Sequence, residues 1–283
     1  GPMISRQITT VDAVTGNYPN IIATPHFLFY SDIPMERLQY HARFAESFII
    51  YVDTNLIKLK GNFPRAVFML KDKLTARKFL SETMGFKAHV HGVYLAGANA
   101  VVTYDGAGAG TIMHELMHTV LAEEKKLEYW AEEGIPCLFD KCFGYFENSA
   151  KENNATKGDE TMYLKLGYPE VWYPKWMGGK DRTDVSLVDV VNNSKHANDS
   201  QENRQRQVAL FLCKNDKLKT YLGLVESGDK KGYPTFFEAT FEESLDKLAP
   251  KFTAYMQEID KSGIAHKLPD MTGVPGWDVS TAN

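Results

Sequence analysis

The segment Thr111-Ile-Met-His-Glu-Leu-Met-His-Thr-Val-Leu121 constrains this chain more than any other, because it sets two histidines and a carboxylate, His114, Glu115 and His118, into an apolar run. On an α-helix, residues four apart lie about 40° apart around the axis, so both imidazoles face one way and can reach a single metal ion. Ile112, Met113, Leu116, Met117, Val120 and Leu121 then supply the packing side of that helix. The plain alternative is an amphipathic helix whose histidines are merely buried or solvated. The chemical alternative is a zinc site in which Glu115, beside the first histidine, takes a proton from a water that the metal acidifies.

The flanking sequence favours the second. Val90–Leu95 and Ala100–Tyr104 are β-rich runs separated by Ala-Gly-Ala-Asn, which predicts a hairpin. Asp105-Gly-Ala-Gly-Ala-Gly110 breaks the second strand; no Gly-Lys-Ser/Thr follows it, so it reads as a flexible turn and not a phosphate loop. Thr111 is the expected N-cap. Downstream, Trp130-Ala-Glu-Glu-Gly134 offers a third ligand, since a catalytic zinc commonly takes two histidines and a glutamate. Glu133 is the preferred ligand and Glu132 its competitor, because adjacent helical residues point about 100° apart and only one can face the metal. Gly134 would let the two helices approach closely, and a second helix is expected from about Leu127 to Phe146. Glu123, Glu124 and Glu128 read as a solvated face. The glycine and third histidine of a metzincin are absent, their positions being Leu121 and Glu124.

With His114-Glu-x-x-His118 followed by Trp130-x-x-Glu133-Gly134, the chain resembles the gluzincins, zinc peptidases whose third ligand is a glutamate on the next helix, and among them the bacterial peptidase-MA-like group. The strand around His26–Ser31, the helix after it, the strand Arg65–Leu70 and the hairpin are similar in order to that group's first half. Gln207–Leu212, Phe236–Phe241 and Ser244–Leu248 resemble its later helices. The resemblance implies an α+β, zincin-like fold: a mixed sheet in an amino-terminal lobe backing the motif helix, then a mostly helical lobe. It implies one Zn2+ held by His114, His118 and Glu133, and a peptide or protein substrate, for which the edge of the expected hairpin strand offers a place to pair backbone to backbone. Glu115 would act as general base and then return its proton to the departing amine. The chain departs from the family pattern at two places. Where related aminopeptidases carry an oxyanion-binding tyrosine, this sequence reads Glu202-Asn-Arg204; substitutes are His196, Arg204, Tyr145, Tyr163, Tyr168 or Tyr173. Where some gluzincins place an acid four residues after the third ligand to orient a histidine, Cys137 stands here.

At 283 residues and 43% hydrophobic content, the chain suits one large domain or two closely packed lobes. The expected division is 1–15 a leading segment, 16–125 the α/β lobe, 126–265 the helical lobe with irregular sequence over 147–203, and 266–283 a tail. Within the first lobe a strand over 20–31, a helix over Met35–Leu56, a strand over 65–70 and a helix over Leu74–Met84 are expected, with His41 at the core edge. In the irregular stretch Trp172, Tyr173 and Trp176 could line a groove or pin the loop. His89 and His91, alternating before the motif, suit edge packing better than a second metal site. The net charge of −4 gives no case for nucleic acid. No apolar run reaches a membrane span, and Gly1-Pro2 has the form of a protease-cleavage scar, which leaves an extracytoplasmic or secreted bacterial setting as the expectation. Cys137, Cys142 and Cys213 suit packing better than a disulfide. Two rival readings remain: a zinc-bearing peptide- or glycan-binding pseudopeptidase, and a hydrolase of another amide such as a peptidoglycan cross-link.

Overall fold

The computed structural model describes residues 18–61, 63–82, 85, 91–140, 142–148, 162–167, 185–193, 199–262, 274–275 and 277. Its centre is a mixed five-stranded sheet in the order β1-β2-β3-β5-β4, formed by β1 (Asn20–Ala23), β2 (Phe27–Ser31), β3 (Arg65–Leu70), β4 (Val93–Leu95) and β5 (Ala100–Tyr104). β2, β3 and β5 run parallel, with Phe29 opposite Val67 and Phe68 opposite Val102, while β1 and β4 are antiparallel edges. The parallel strands are apolar on both faces because helices cover both. Val67, Met69 and Val101 join α1 (Met35–Asn55) and the motif helix α3 (Ala109–Leu121) in the main core; Phe68, Leu70, Val102 and Tyr104 pack instead with Ala76, Phe79 and Leu80 of α2 (Lys73–Glu82). The fold is thus mixed α and β, with the motif helix against the sheet.

The expected single strand over 20–31 is two strands. Pro25 lies in the break, and Thr24 closes the turn: its N–H donates to Phe27 O at 2.8 Å, and the Phe27 N–H donates to Thr24 Oγ1 at 3.0 Å. The motif helix begins at Ala109, not after a Thr111 cap; Gly108, with φ of 88°, turns the chain into it. The Gly-rich stretch is also anchored. Arg37 and His41 of α1 hold Asp105 at 2.7 and 2.6 Å, and His41 is buried there, its pKa lowered by loss of solvent despite the nearby carboxylate.

The expected long helix from Leu127 is instead the six-residue α4 (Tyr129–Gly134), a 3-10 turn at Pro136–Leu138 and strand β6 (Phe143–Asn148). Pro136 lacks an N–H and its ring obstructs the carbonyl four residues back, so an α-helix cannot run through it undisturbed. β6 pairs with β7 (Met162–Gly167), which pairs with β8 (Val274–Pro275) in a second, antiparallel sheet. The expected irregular stretch 147–203 and the expected tail 266–283 therefore each contain a strand. The 147–203 stretch also holds α5 (Leu187–Val191) and the start of α6 (Asp199–Lys214). The carboxyl-terminal tail returns to α1, where the Trp277 N–H donates to Ser47 Oγ at 2.8 Å. The remaining helices are α7 (Leu218–Ser227), α8 (Phe236–Phe241) and α9 (Leu245–Ser262), and one core cluster runs from Ile22 through the motif helix to Ile259. Among the described residues no helix is long and apolar enough to cross a membrane.

Candidate metal centre

α3 presents His114 and His118 on one face, as the four-residue spacing requires, and their Nε2 atoms lie 3.0 Å apart. α4 brings Glu133 Oε2 to 3.5 Å from His114 Nε2 and 3.3 Å from His118 Nε2. Tetrahedral zinc with bonds of about 2.0–2.1 Å separates its donors by about 3.3 Å, so these three atoms form a triangle of the size that one such ion spans. Two imidazoles and a carboxylate are also a donor set that zinc accepts. Glu132 is not part of this converging group, and both it and Glu133 line a neighbouring cavity.

The electrostatics follow from this convergence. Burial pushes the Glu133 carboxyl up, but its bonds from His114 and His118 more than reverse that and hold it down to about 2. Burial likewise opposes charge on His114, yet Asp140, Cys137 and Glu133 together hold its pKa well above the usual histidine value. Glu115 is 6% exposed. Burial raises its pKa; the charges of His114 and His118 lower it, and those of Glu133 and Asp140 raise it again. A carboxyl tuned upward in this way suits a general base.

The residues that sequence reasoning missed surround this triangle. Asp140 Oδ1 lies 2.8 Å from His114 Nδ1, so a carboxylate does face the far nitrogen of the first histidine, but from seven residues after Glu133 instead of four. Cys137, which stands at the four-residue position, lies beside the same imidazole, and the ligand atoms of His114, Cys137 and Asp140 cluster within 4.8 Å. Arg206 of α6 pairs with the other Asp140 oxygen and is itself 5% exposed, so Asp140 is fixed from behind. Gly110 makes the approach possible, because a Cβ there would fall 2.3 Å from Asp140 O. Gly134 also serves close approach, but to α6: its Cβ would fall 2.6 Å from Gln205 O. Gly92, just before the edge strand, leaves room for Glu115, as a Cβ would lie 2.8 Å from Glu115 Cγ. Glycines beside a ligand motif were the available signal for these contacts.

The acidic run is not a solvated face. Glu123 pairs with the buried Arg65 at 3.2 Å, Glu124 with Lys60 at 2.8 Å, and Glu128 accepts three hydrogen bonds. His91 is engaged with Tyr104 Oη at 2.5 Å and Lys73 Nζ at 3.0 Å. The three cysteines are buried and unpaired by disulfides. Of the oxyanion candidates, Arg204 is exposed and lines a separate cavity with Asp189 and Gln205. The side chains of Tyr145 and Tyr163, and the residues His196, Tyr168, Tyr173, Trp172, Trp176 and His89, lie outside the described set. In comparison with known proteins, no family model matches this chain and no curated protein matches it.

Proposed function

We propose that this chain is a zinc-dependent peptidase of gluzincin type, with a zincin-like arrangement of sheet, motif helix and ligand helix. The observation that carries the reading is the triangle of His114 Nε2, His118 Nε2 and Glu133 Oε2, with sides of 3.0, 3.3 and 3.5 Å, next to a buried carboxyl. A zinc ion held by these residues would supply Lewis acidity, acidifying a water and polarising a scissile carbonyl. Glu115 takes the proton of the attacking water and passes it to the departing amine. Asp140, backed by Arg206, keeps His114 turned so that Nε2 faces the other two ligands. The exposed edge of β4 offers backbone groups to an extended peptide.

The test is metal content and peptide cleavage for the wild type and Glu115→Gln. The reading expects about one zinc per chain in both, and a loss of about 100-fold or more in rate for the variant. Equal rates end the base assignment. Zinc and peptide binding with no turnover across a broad library would favour the pseudopeptidase, while products containing only non-protein amide fragments would favour another amidohydrolase.

A further inference from the structure

A cavity of about 340 Å³ opens beside the three converging ligands; Tyr94, Ala96, Leu121, Ala122 and Leu127 give it apolar walls, and His118, Glu124, Lys125, Glu132 and Glu133 complete its lining. His118 belongs both to its wall and to the ligand triangle, so anything held at the centre lies at the cavity mouth. Its body is apolar. The Tyr94 hydroxyl donates to Asn99 Oδ1 at 3.1 Å, which fixes the ring as a firm wall, and the charge of nearby Glu124 is already matched by Lys60 at 2.8 Å.

The position of the base gives the cavity a direction. Glu115 sits against Gly92, before the start of β4, whereas the cavity lies past His118 against Tyr94 and Ala96 at the other end of that strand. The base must reach the departing nitrogen, so the amine half of a substrate lies on the Gly92 side and the acyl half on the Tyr94 side. We infer that this cavity receives the side chain of the residue that contributes the scissile carbonyl, and that it selects a large apolar residue, phenylalanine or leucine, over glycine or glutamate. The inference rests on the peptidase reading. An aromatic side chain gains by leaving water for the apolar walls, whereas a glutamate would be desolvated among Glu124, Glu132 and Glu133, with Lys125 the one lysine or arginine of the lining.

The experiment uses the zinc-loaded full chain and N-acetyl-Gly-Gly-X hydroxamates with X as Gly, Glu, Leu or Phe, their affinities measured by titration calorimetry. The hydroxamate grips the metal whether or not the protein turns over, and it holds X on the acyl side. The Phe and Leu compounds should bind about 10-fold or more tighter than the Gly compound, with Glu weakest. Leu127→Trp and, independently, Ala96→Leu fill the cavity from two separate segments of the chain; each should bring the Phe compound to within about 2-fold of the Gly compound without weakening the latter. An affinity that changes less than about 2-fold with X overturns the inference, as does a Phe advantage that survives both filling variants, or no binding at all. Selective binding with no cleavage of any peptide leaves the subsite standing and sinks the peptidase reading. Cleavage indifferent to X does the reverse.

Discussion

The two ends of α4 each place a carboxylate against neighbouring elements, and they use it in opposite ways. Before the first turn, Glu128 Oε2 accepts hydrogen bonds from Trp130 Nε1 at 3.0 Å and Tyr221 Oη at 3.1 Å, and Oε1 accepts one from the Phe236 N–H at 2.8 Å. Every donor is neutral. Burial therefore raises the Glu128 carboxyl, and the three bonds pull it back without prevailing. In the last turn Glu133 is also enclosed, but it faces two imidazoles, and they hold it at about 2. Glu128 is a closed node that ties α4 to α7 and α8. Glu133 points with two nitrogens at a common centre, which is what a cation site requires. Burial and residue type do not separate the two; the chemistry of what converges on each does.

The strongest way to break this comparison is to exchange the two losses. Glu133→Ala should weaken zinc binding by more than about 100-fold, beyond the roughly 10–100-fold cost of losing a group that only orients a ligand. Competition against a chelator measures it. Glu128→Ala should keep one zinc per chain and instead lower unfolding stability by about 1–3 kcal/mol, because donors on Trp130, Tyr221 and Phe236 lose their acceptor. If both variants lose metal equally, or both only stability, the distinction between node and ligand is wrong. Asp140→Ala sharpens it from the side: zinc affinity should fall about 10–100-fold, since His114 loses the carboxylate at its far nitrogen.

Protons read the same contrast. In the metal-free protein Glu133 titrates at about 2, below its unfolded value of 4.5, so its contribution to stability is complete above 4.5 and is lost as pH falls toward 2. Glu128 has the opposite sign. Its folded pKa lies above 4.5, the folded state holds the proton longer, and its contribution falls as pH rises through that window. Stability profiles of Glu133→Gln and Glu128→Gln against wild type should therefore differ with opposite slopes on the acid side. His114, charged more readily than an ordinary histidine, must be neutral to ligate, so zinc binding should release about one proton at neutral pH and weaken as pH falls. Calorimetry in buffers of different ionisation enthalpy counts that proton; none released would contradict the assigned ligand.

How far this site could be read from sequence depends on the range of the interactions that build it. The histidine pair and Glu115 were legible because a helix fixes their relation over one turn. The hairpin over β4 and β5, the strand Arg65–Leu70 and the helix from Met35 were legible for the same local reason, period and turn chemistry. Glu133 was preferred over Glu132 for its place just before Gly134 and its match to the gluzincin spacing, and the distances to His114 and His118 support it. Asp140 was not legible. A search four residues past the ligand assumes a continuing helix, but Pro136 ends it, and the chain reaches His114 only after a 3-10 turn packed on Gly110. Arg206 lies 66 residues further along the chain from Asp140, and no local pattern links them. The second sheet was missed because β6 was read as the end of a helix, and because β7 pairs on its other side with the distant β8, Tyr163 opposite Pro275.

The smallest of these effects sits at Gly92. A Cβ there would lie 2.8 Å from Glu115 Cγ and 3.1 Å from both Glu115 Oε1 and Thr111 Cγ2, closer than such atoms approach without moving. Thr111 is β-branched and stiff at χ1, so the more mobile partner is the longer Glu115 side chain, and its displacement carries the carboxyl away from the water that the proposed mechanism has it deprotonate. Gly92→Ala should therefore leave zinc affinity unchanged and lower kcat by about 10-fold, less than removing the carboxylate and more than a surface change would. The wild-type pH profile of kcat should shift with it, because the raised pKa of Glu115 depends on the burial that the displacement relieves. A variant with unchanged kcat and unchanged pH profile would mean that Glu115 has room to spare, and that the contrast between a closed node and an open site does not extend to how tightly the base is held.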